Sequence, residues 1–188
     1  MFVGQIFENG LFCIRKIMQD GIIKSHIKRN YIDYNDTITN TTDGYVYLTT
    51  NIYTAYYYGN INSLSQVEED SYVCIFKIDV NDKVLLPDYD EIKVKCKNAN
   101  TYEKITYNES INMCGCVTIK NDLEITNSDY IILPNTVNYI DNENSVQLCQ
   151  ELSKLQSKSK SNIINQQDID IDNLMTKIEK NYEWHHII

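Results

Sequence analysis

The chain lacks most of the features by which a sequence declares a function. Its 188 residues include only three histidines, two prolines, six glycines and one tryptophan. No Walker loop, GxGxxG, GxSxG or HExxH occurs, so the common phosphate-cradling, nucleophile-elbow and zinc-hydrolase signatures are excluded. Basic charge is scarce: 17 Lys and Arg face 26 Asp and Glu, for a net charge of −9. Without a dense basic patch, unassisted grip on a nucleic-acid backbone is not expected, because that grip depends on cationic side chains displacing counterions. The acidic balance suits a basic partner instead. No apolar run is long enough to cross a bilayer, and the N-terminus carries no charged–apolar–small leader. The expected location is the cytoplasm, with no membrane partner. The six cysteines are scattered and expected to be reduced there. Cys114-Gly-Cys116 is the one close pair, and with no second pair or suitably spaced histidine no metal site is expected.

What is present is an ordinary globular balance, 43% hydrophobic and 23% charged, in a chain long enough to bury a sizeable core. MFVGQIF (1–7) reads as a short strand. Leu11, Ile14, Ile17 and Met18 then recur at helical spacing between a capping Asn9 and a closing Gly21. Residues 28–44 are rich in Asn, Asp and Thr and read as a long surface loop. SYVCIFKIDV (71–80) is apolar on both faces, as a central strand is. Further strands are expected near Val84–Leu86, Ile92–Cys96, 116–120 and 129–133, with polar segments at 97–112 and between the last two. DYDEI (88–92) reads as a solvated turn, since its three carboxylates lack calcium-loop spacing. After Pro134 the pattern turns helical, with apolar stripes at 145–156 and 171–182. His185-His186 reads as a solvated tail. The organisation expected is an α+β domain over residues 1–140 with an N-terminal helix, followed by a helical C-terminal extension over 141–188. Those C-terminal helices are a candidate homodimer surface.

One stretch stands out. Residues 45–60 read YVYLTTNIYTAYYYGN, with six tyrosines in sixteen positions of a chain that has 15 in all. YVYLTT reads as a strand, and Ile52, Ala55, Tyr56 and Gly59 put the rest on a helix. Tyrosine is a good strand former and a bulky core filler, so packing explains part of the cluster. Aromatic faces and hydroxyls would also suit a pocket for a flat, polar ligand.

The order of features – strand, helix ending in Gly21-Ile22, polar loop, YVYLTTNIYTAYYYGN, a strand ending in IDV, DYDEI and a late pair of strands ending in DYIIL – resembles the ADP-ribosyltransferase fold family. Rifampicin ADP-ribosyltransferases, DNA-modifying ADP-ribosyltransferase toxins and poly-ADP-ribose polymerases share that layout. The resemblance covers roughly residues 1–135. It implies a split, two-sheet β core with NAD, as substrate, in the cleft between the sheets, and transfer of ADP-ribose to a macromolecular target, a protein before a nucleic acid. It implies that Tyr47 stacks on the nicotinamide, that Thr49 and Thr50 support the site, and that Tyr57 or Tyr58 closes the other side of the ring. It also implies an acidic residue near the start of a late strand. Glu109 is the nearest upstream carboxylate and the catalytic candidate, with Asp122 and Glu124 the nearest downstream. Two positions depart from the family pattern. The first strand offers Gln5 where members place His or Arg, and Cys114–Cys116 occupies the slot expected for the carboxylate. These departures frame a second expectation: a catalytically degenerate, acidic binding module acting as an inhibitor or adaptor of a host or cellular protein in a virus–host conflict.

Overall fold

The computed structural model describes residues 1–7, 17–26, 30–32, 38–64, 72–95, 104–134, 150, 173 and 176–188. In chain order the strands are β1 (Phe2–Phe7), β2 (Ile22–Ile23), β3 (Asn30–Ile32), β4 (Ile38–Asn40), β5 (Tyr45–Thr49), β6 (Tyr72–Lys77), β7 (Leu86–Pro87), β8 (Cys116–Lys120), β9 (Leu123–Glu124), β10 (Asp129–Pro134) and β11 (His185–His186). The helices are α1, described over residues 17–20, α2 (Ile52–Leu64), α3 (Tyr89–Lys95), α4 (Tyr107–Cys114) and α5, described over 176–181. The class is α+β with antiparallel sheets.

Seven strands form one sheet in the order β11-β10-β6-β1-β5-β8-β7, and the pairs β2-β9 and β3-β4 stand beside it. Its middle is uneven. β1 pairs with β6 along its whole length, from Phe2↔Lys77 to Phe7↔Tyr72, but meets β5 only at Phe2↔Thr49. A single register pair therefore joins a four-strand group, β11-β10-β6-β1, to a three-strand group, β5-β8-β7.

The alternation of side chains along β6 generates two cores. Val73 and Ile75 point to one face, where they meet Ile131 and Leu133 of β10, Ile52, Ala55 and Tyr56 of α2, and Ile178 of α5. Cys74 and Phe76 point to the other, against Val46 and Leu48 of β5, Val117 and Ile119 of β8, and Ile23, Leu123, Ile125 and Ile187. All four of these β6 side chains are fully buried, the pattern expected for a strand covered on both faces. Full burial of each large apolar side chain contributes about 1.5–3 kcal/mol. Ile178 and Ile187 belong to these same two clusters, so the described C-terminal residues dock on the sheet. The helix expected at 145–156 lies outside the described residues except for helical residue 150.

Four local expectations are corrected. Ile92–Cys96 does not begin a strand: Tyr89–Lys95 is helical, because the Asp88 carboxylate caps it by accepting the Glu91 N–H at 2.9 Å. The polar segment 97–112 contains the start of α4. Thr106 and Glu109 form a capping box there, and Gly115 closes the helix in the left-handed region at φ 71°. The long loop at 28–44 contains β3 and β4, paired from Asn30↔Asn40 to Ile32↔Ile38. His185-His186 is a strand rather than a solvated tail. It pairs with Asp129 and Tyr130 of β10, and buried Ile187 anchors it by backbone bonds to Ser128 and Asn127. Gly21 closes α1 as its sequence position indicates, with φ 63° and its N–H on the Ile17 carbonyl at 2.8 Å.

Candidate functional site

DYDE is the unexpected feature. Asp88, Asp90 and Glu91 are all buried, at 4%, 8% and 6% exposure, so the segment is no solvated turn. The reason is local. The Asp88 cap and the packing of α3 against α4 through Ile92 and Cys114 pull the acidic turn inward. Each buried carboxyl must then find partners, since an unsatisfied one is costly.

Each finds them differently. Asp90 Oδ2 accepts the Tyr47 hydroxyl at 2.6 Å and the Thr42 N–H at 2.7 Å, while Oδ1 accepts the Thr42 hydroxyl at 2.9 Å. Burial and the adjoining Asp90 both raise the Tyr47 phenol well above its usual range, so it stays a proton donor. Glu91 accepts the Tyr58 hydroxyl in a short bond, and burial again raises that phenol. Asp88 Oδ1 accepts the Glu91 N–H at 2.9 Å, and no tyrosine among the described residues bonds it. Its backbone N–H donates to Ser110 Oγ at 3.0 Å, and Ser110 Oγ donates to the Cys116 carbonyl at 2.7 Å. Burial, reinforced by Glu91, Cys114 and Asp90, raises the Asp88 carboxyl well above the ordinary carboxylate range.

A pocket of about 80 Å³ opens beside Asp90. Tyr45, Tyr47 and Tyr89 line it with Asp90, and Thr42, Pro87 and Thr118 complete it. Three elements build it. Tyr45 and Tyr47 lie on the same face of β5, two residues apart; Thr118 is the register partner of Tyr47 on β8; Tyr89 and Asp90 open α3. No lysine, arginine or histidine is among the lining residues. Aromatic faces with one carboxylate and no cation favour a positively charged or donor-rich ligand over an anion.

Of the residues singled out in the sequence, Tyr47 lies in this pocket. Thr49 and Thr50 lie at the end of β5 and turn toward the α4–β8 junction. There the Gly115 carbonyl accepts the Thr49 hydroxyl at 3.0 Å, the Thr50 hydroxyl at 3.3 Å and the Thr50 N–H at 2.9 Å. Tyr57 and Tyr58 sit on α2 in a ring series, with centroids 6.2 Å apart for Tyr53–Tyr57 and 5.3 Å for Tyr57–Tyr58. Neither lines the pocket of Tyr47. Glu109 is on the exposed side of α4. Its Oε2 accepts the Thr106 N–H at 2.7 Å and hydroxyl at 2.8 Å, which hold the carboxyl below the usual range. Asp122 is bound to Lys24 and Ser25, and Glu124 is exposed on β9. Of Gln5, only the backbone in β1 is described. Sequence reading placed Tyr89 and Asp90 in a solvated turn and did not single out Tyr45 from the tyrosine cluster. The signal for Tyr45 was its period-two relation to Tyr47; the signal for Asp90 was a helix cap at Asp88 that would turn DYDE inward.

Cys114 and Cys116 flank the Gly115 turn and are buried without a disulfide. A hydrogen bond from Cys116 lowers the Cys114 thiol to about 7, while the same contact and burial push Cys116 up. No helix among the described residues is long and apolar enough to cross a membrane. No protein-family model, curated protein or solved structure matches the chain.

Proposed function

We infer that the protein is an NAD-binding protein of ADP-ribosyltransferase type that transfers ADP-ribose to a macromolecular target. The observation that carries this reading is the pocket in which the Tyr47 ring and the Asp90 carboxylate meet. Oxidised nicotinamide is a flat cation, and aromatic faces attract it by stacking and by the ring quadrupole. The pocket's 80 Å³ takes the nicotinamide end alone, leaving the rest of the dinucleotide outside. The near-division of the large sheet at Phe2↔Thr49 supports a split β core. In transfer, the bond between nicotinamide and ribose breaks and positive charge develops on the ribose, so a fixed carboxylate nearby lowers the barrier. Asp90 is the carboxylate of this pocket and takes that role here; Glu109 serves as the cap of α4.

Calorimetry with NAD, together with incubation of the protein, labelled NAD and a cell lysate, tests this. Binding, and label transfer that Asp90→Asn abolishes and Glu109→Gln retains, is the expected result. No heat of binding and no labelled product overturns it.

A second reading, a binding module without chemistry that acts as an inhibitor or adaptor of another protein, is favoured by one specific observation. Both carboxylates are already engaged by internal donors, Asp90 by Tyr47 and Thr42, and Glu109 by Thr106. NAD binding without turnover, and a stoichiometric protein partner in a pull-down, selects it.

A further inference from the structure

We propose that the Tyr45–Tyr47–Tyr89 pocket is a receptor for a quaternary ammonium group carried by a small molecule. This goes beyond the NAD reading and does not rest on it. Four observations converge on that chemistry.

The pocket is compact. Its 80 Å³ is far below the roughly 300–1,000 Å³ of pockets that enclose drug-sized ligands, so it admits a headgroup and little more. Three tyrosines and Pro87 line it together with Thr42 and Thr118, whose hydroxyls are donated to Asp90 and to the Pro87 carbonyl, and aromatic faces attract a cation by the ring quadrupole. It holds a carboxylate with no compensating cation among its lining residues.

The fourth observation decides between kinds of cation. The Asp90 oxygens already accept three internal hydrogen bonds, from the Tyr47 hydroxyl and from the Thr42 N–H and hydroxyl. Of about four acceptor sites on the Asp90 carboxylate, three are filled and one on Oδ1 remains. A primary ammonium brings three N–H donors that lose their water on entry and need acceptors in exchange. A quaternary ammonium brings none, and loses little on desolvation. One remaining acceptor site cannot satisfy three donors, so Asp90 favours the donor-free cation. The Tyr47 hydroxyl, committed to Asp90, keeps its ring fixed in the wall.

The test is a titration of the full chain with tetramethylammonium, choline and methylammonium at constant ionic strength, read by calorimetry and by the tyrosine ring resonances. Tetramethylammonium and choline are expected to bind at least tenfold more tightly than methylammonium. Tyr45→Ala removes one wall and leaves the Asp90 bonds intact. It is expected to weaken tetramethylammonium at least tenfold with the fold retained, and Tyr89→Ala provides the same reading from α3. Absence of binding, equal affinity for methylammonium, or binding unchanged in both variants overturns the proposal. Parallel titration with NAD separates the readings. Tetramethylammonium binding without NAD binding supports the receptor and removes the NAD assignment. NAD binding that tetramethylammonium does not displace places NAD elsewhere and leaves the receptor supported.

Discussion

The tyrosines of β5 and those of α2 belong to one continuous stretch of sequence, and they do different work. Tyr45 and Tyr47 are half-buried and line a pocket, with the Tyr47 hydroxyl anchored to a carboxylate. Tyr56 is buried to 3%, fills the core between α2 and β10, and spends its hydroxyl on the Pro134 carbonyl at 2.6 Å. Tyr53, Tyr57 and Tyr58 lean on one another along the helix. The difference follows from periodicity. On the strand, every second residue shares a face, so two tyrosines two apart wall one site. On the helix, Tyr56, Tyr57 and Tyr58 diverge by about 100° each, so one enters the core and the others flank it. The carboxylates divide the same way: Asp90 serves the strand tyrosine, Glu91 a helix tyrosine, and Asp88 neither.

Substitution should break the two groups apart. Tyr56→Ala removes a buried ring and is expected to cost about 3–5 kcal/mol in denaturant unfolding. Tyr56→Phe, which strands the Pro134 carbonyl, should cost about 1–3 kcal/mol. Neither should alter ligand affinity in the folded protein. Tyr47→Phe is the counterpart on the strand. It keeps the ring and deprives buried Asp90 of one donor, so a loss of about 1–3 kcal/mol is expected. A Tyr47→Phe protein as stable as the original would show that the anchor does not operate.

Asp88 isolates the cost of a buried carboxyl that no tyrosine serves. Its carboxyl is raised in the folded state above its ordinary value of 3.8. The folded chain therefore holds this proton more tightly than the unfolded chain does. The resulting stabilisation is fully present below about pH 4 and is lost as pH climbs toward the raised folded value. Asp88→Asn keeps a helix cap and removes the titration. It should flatten this part of the pH profile and stabilise the protein at pH 7 by on the order of 1 kcal/mol, measured by unfolding at pH 4.5 and 7. Smallest of all, Thr106→Ala removes the hydroxyl that caps α4 and donates to Glu109, leaves the backbone N–H that also holds Glu109, and should cost about 1 kcal/mol without changing the pocket. A loss of ligand affinity in Thr106→Ala would join Glu109 to the site and dissolve the contrast.

Much of the fold could be read from the chain. β6 is apolar on both faces and is the covered strand at the heart of the sheet; β5, α2, β8 and β10 fall where periodicity puts them. α3 was hidden because Ile92, Val94 and Cys96 alternate as a strand would, while the Asp88 cap that overrides the alternation depends on one side chain bonding three residues ahead. α4 was legible in principle, since Thr106 and Glu109 carry the capping-box spacing. The site was legible only in part. Tyr47 could be picked from its strand, but its partner Asp90 lies 43 residues away. Three carboxyls within four residues look like surface until tertiary packing buries them. Thr49 and Thr50 read as ligand hydroxyls because nothing local shows that the Gly115 carbonyl, 65 or 66 residues on, will occupy them.

The lone Phe2↔Thr49 rung has a mechanical meaning. Backbone pairing joins the two panels at one rung, and the packing of Cys74 and Phe76 on Val46, Leu48, Val117 and Ile119 joins them again. The tyrosine-rich stretch straddles this seam, with Tyr45 and Tyr47 on one panel, Tyr56 packed on the other and Tyr58 reaching back to Glu91. Amide exchange is then expected to be faster along the β1–β5 seam, where the ladder is one pair long, than along the fully paired β1–β6 ladder. A ligand clasped by β5 would slow exchange on its own panel first. Its grip would reach the second panel through the turn from Thr49 to Ile52, so a molecule with few contacts would have a route for telling the rest of the protein that it has arrived.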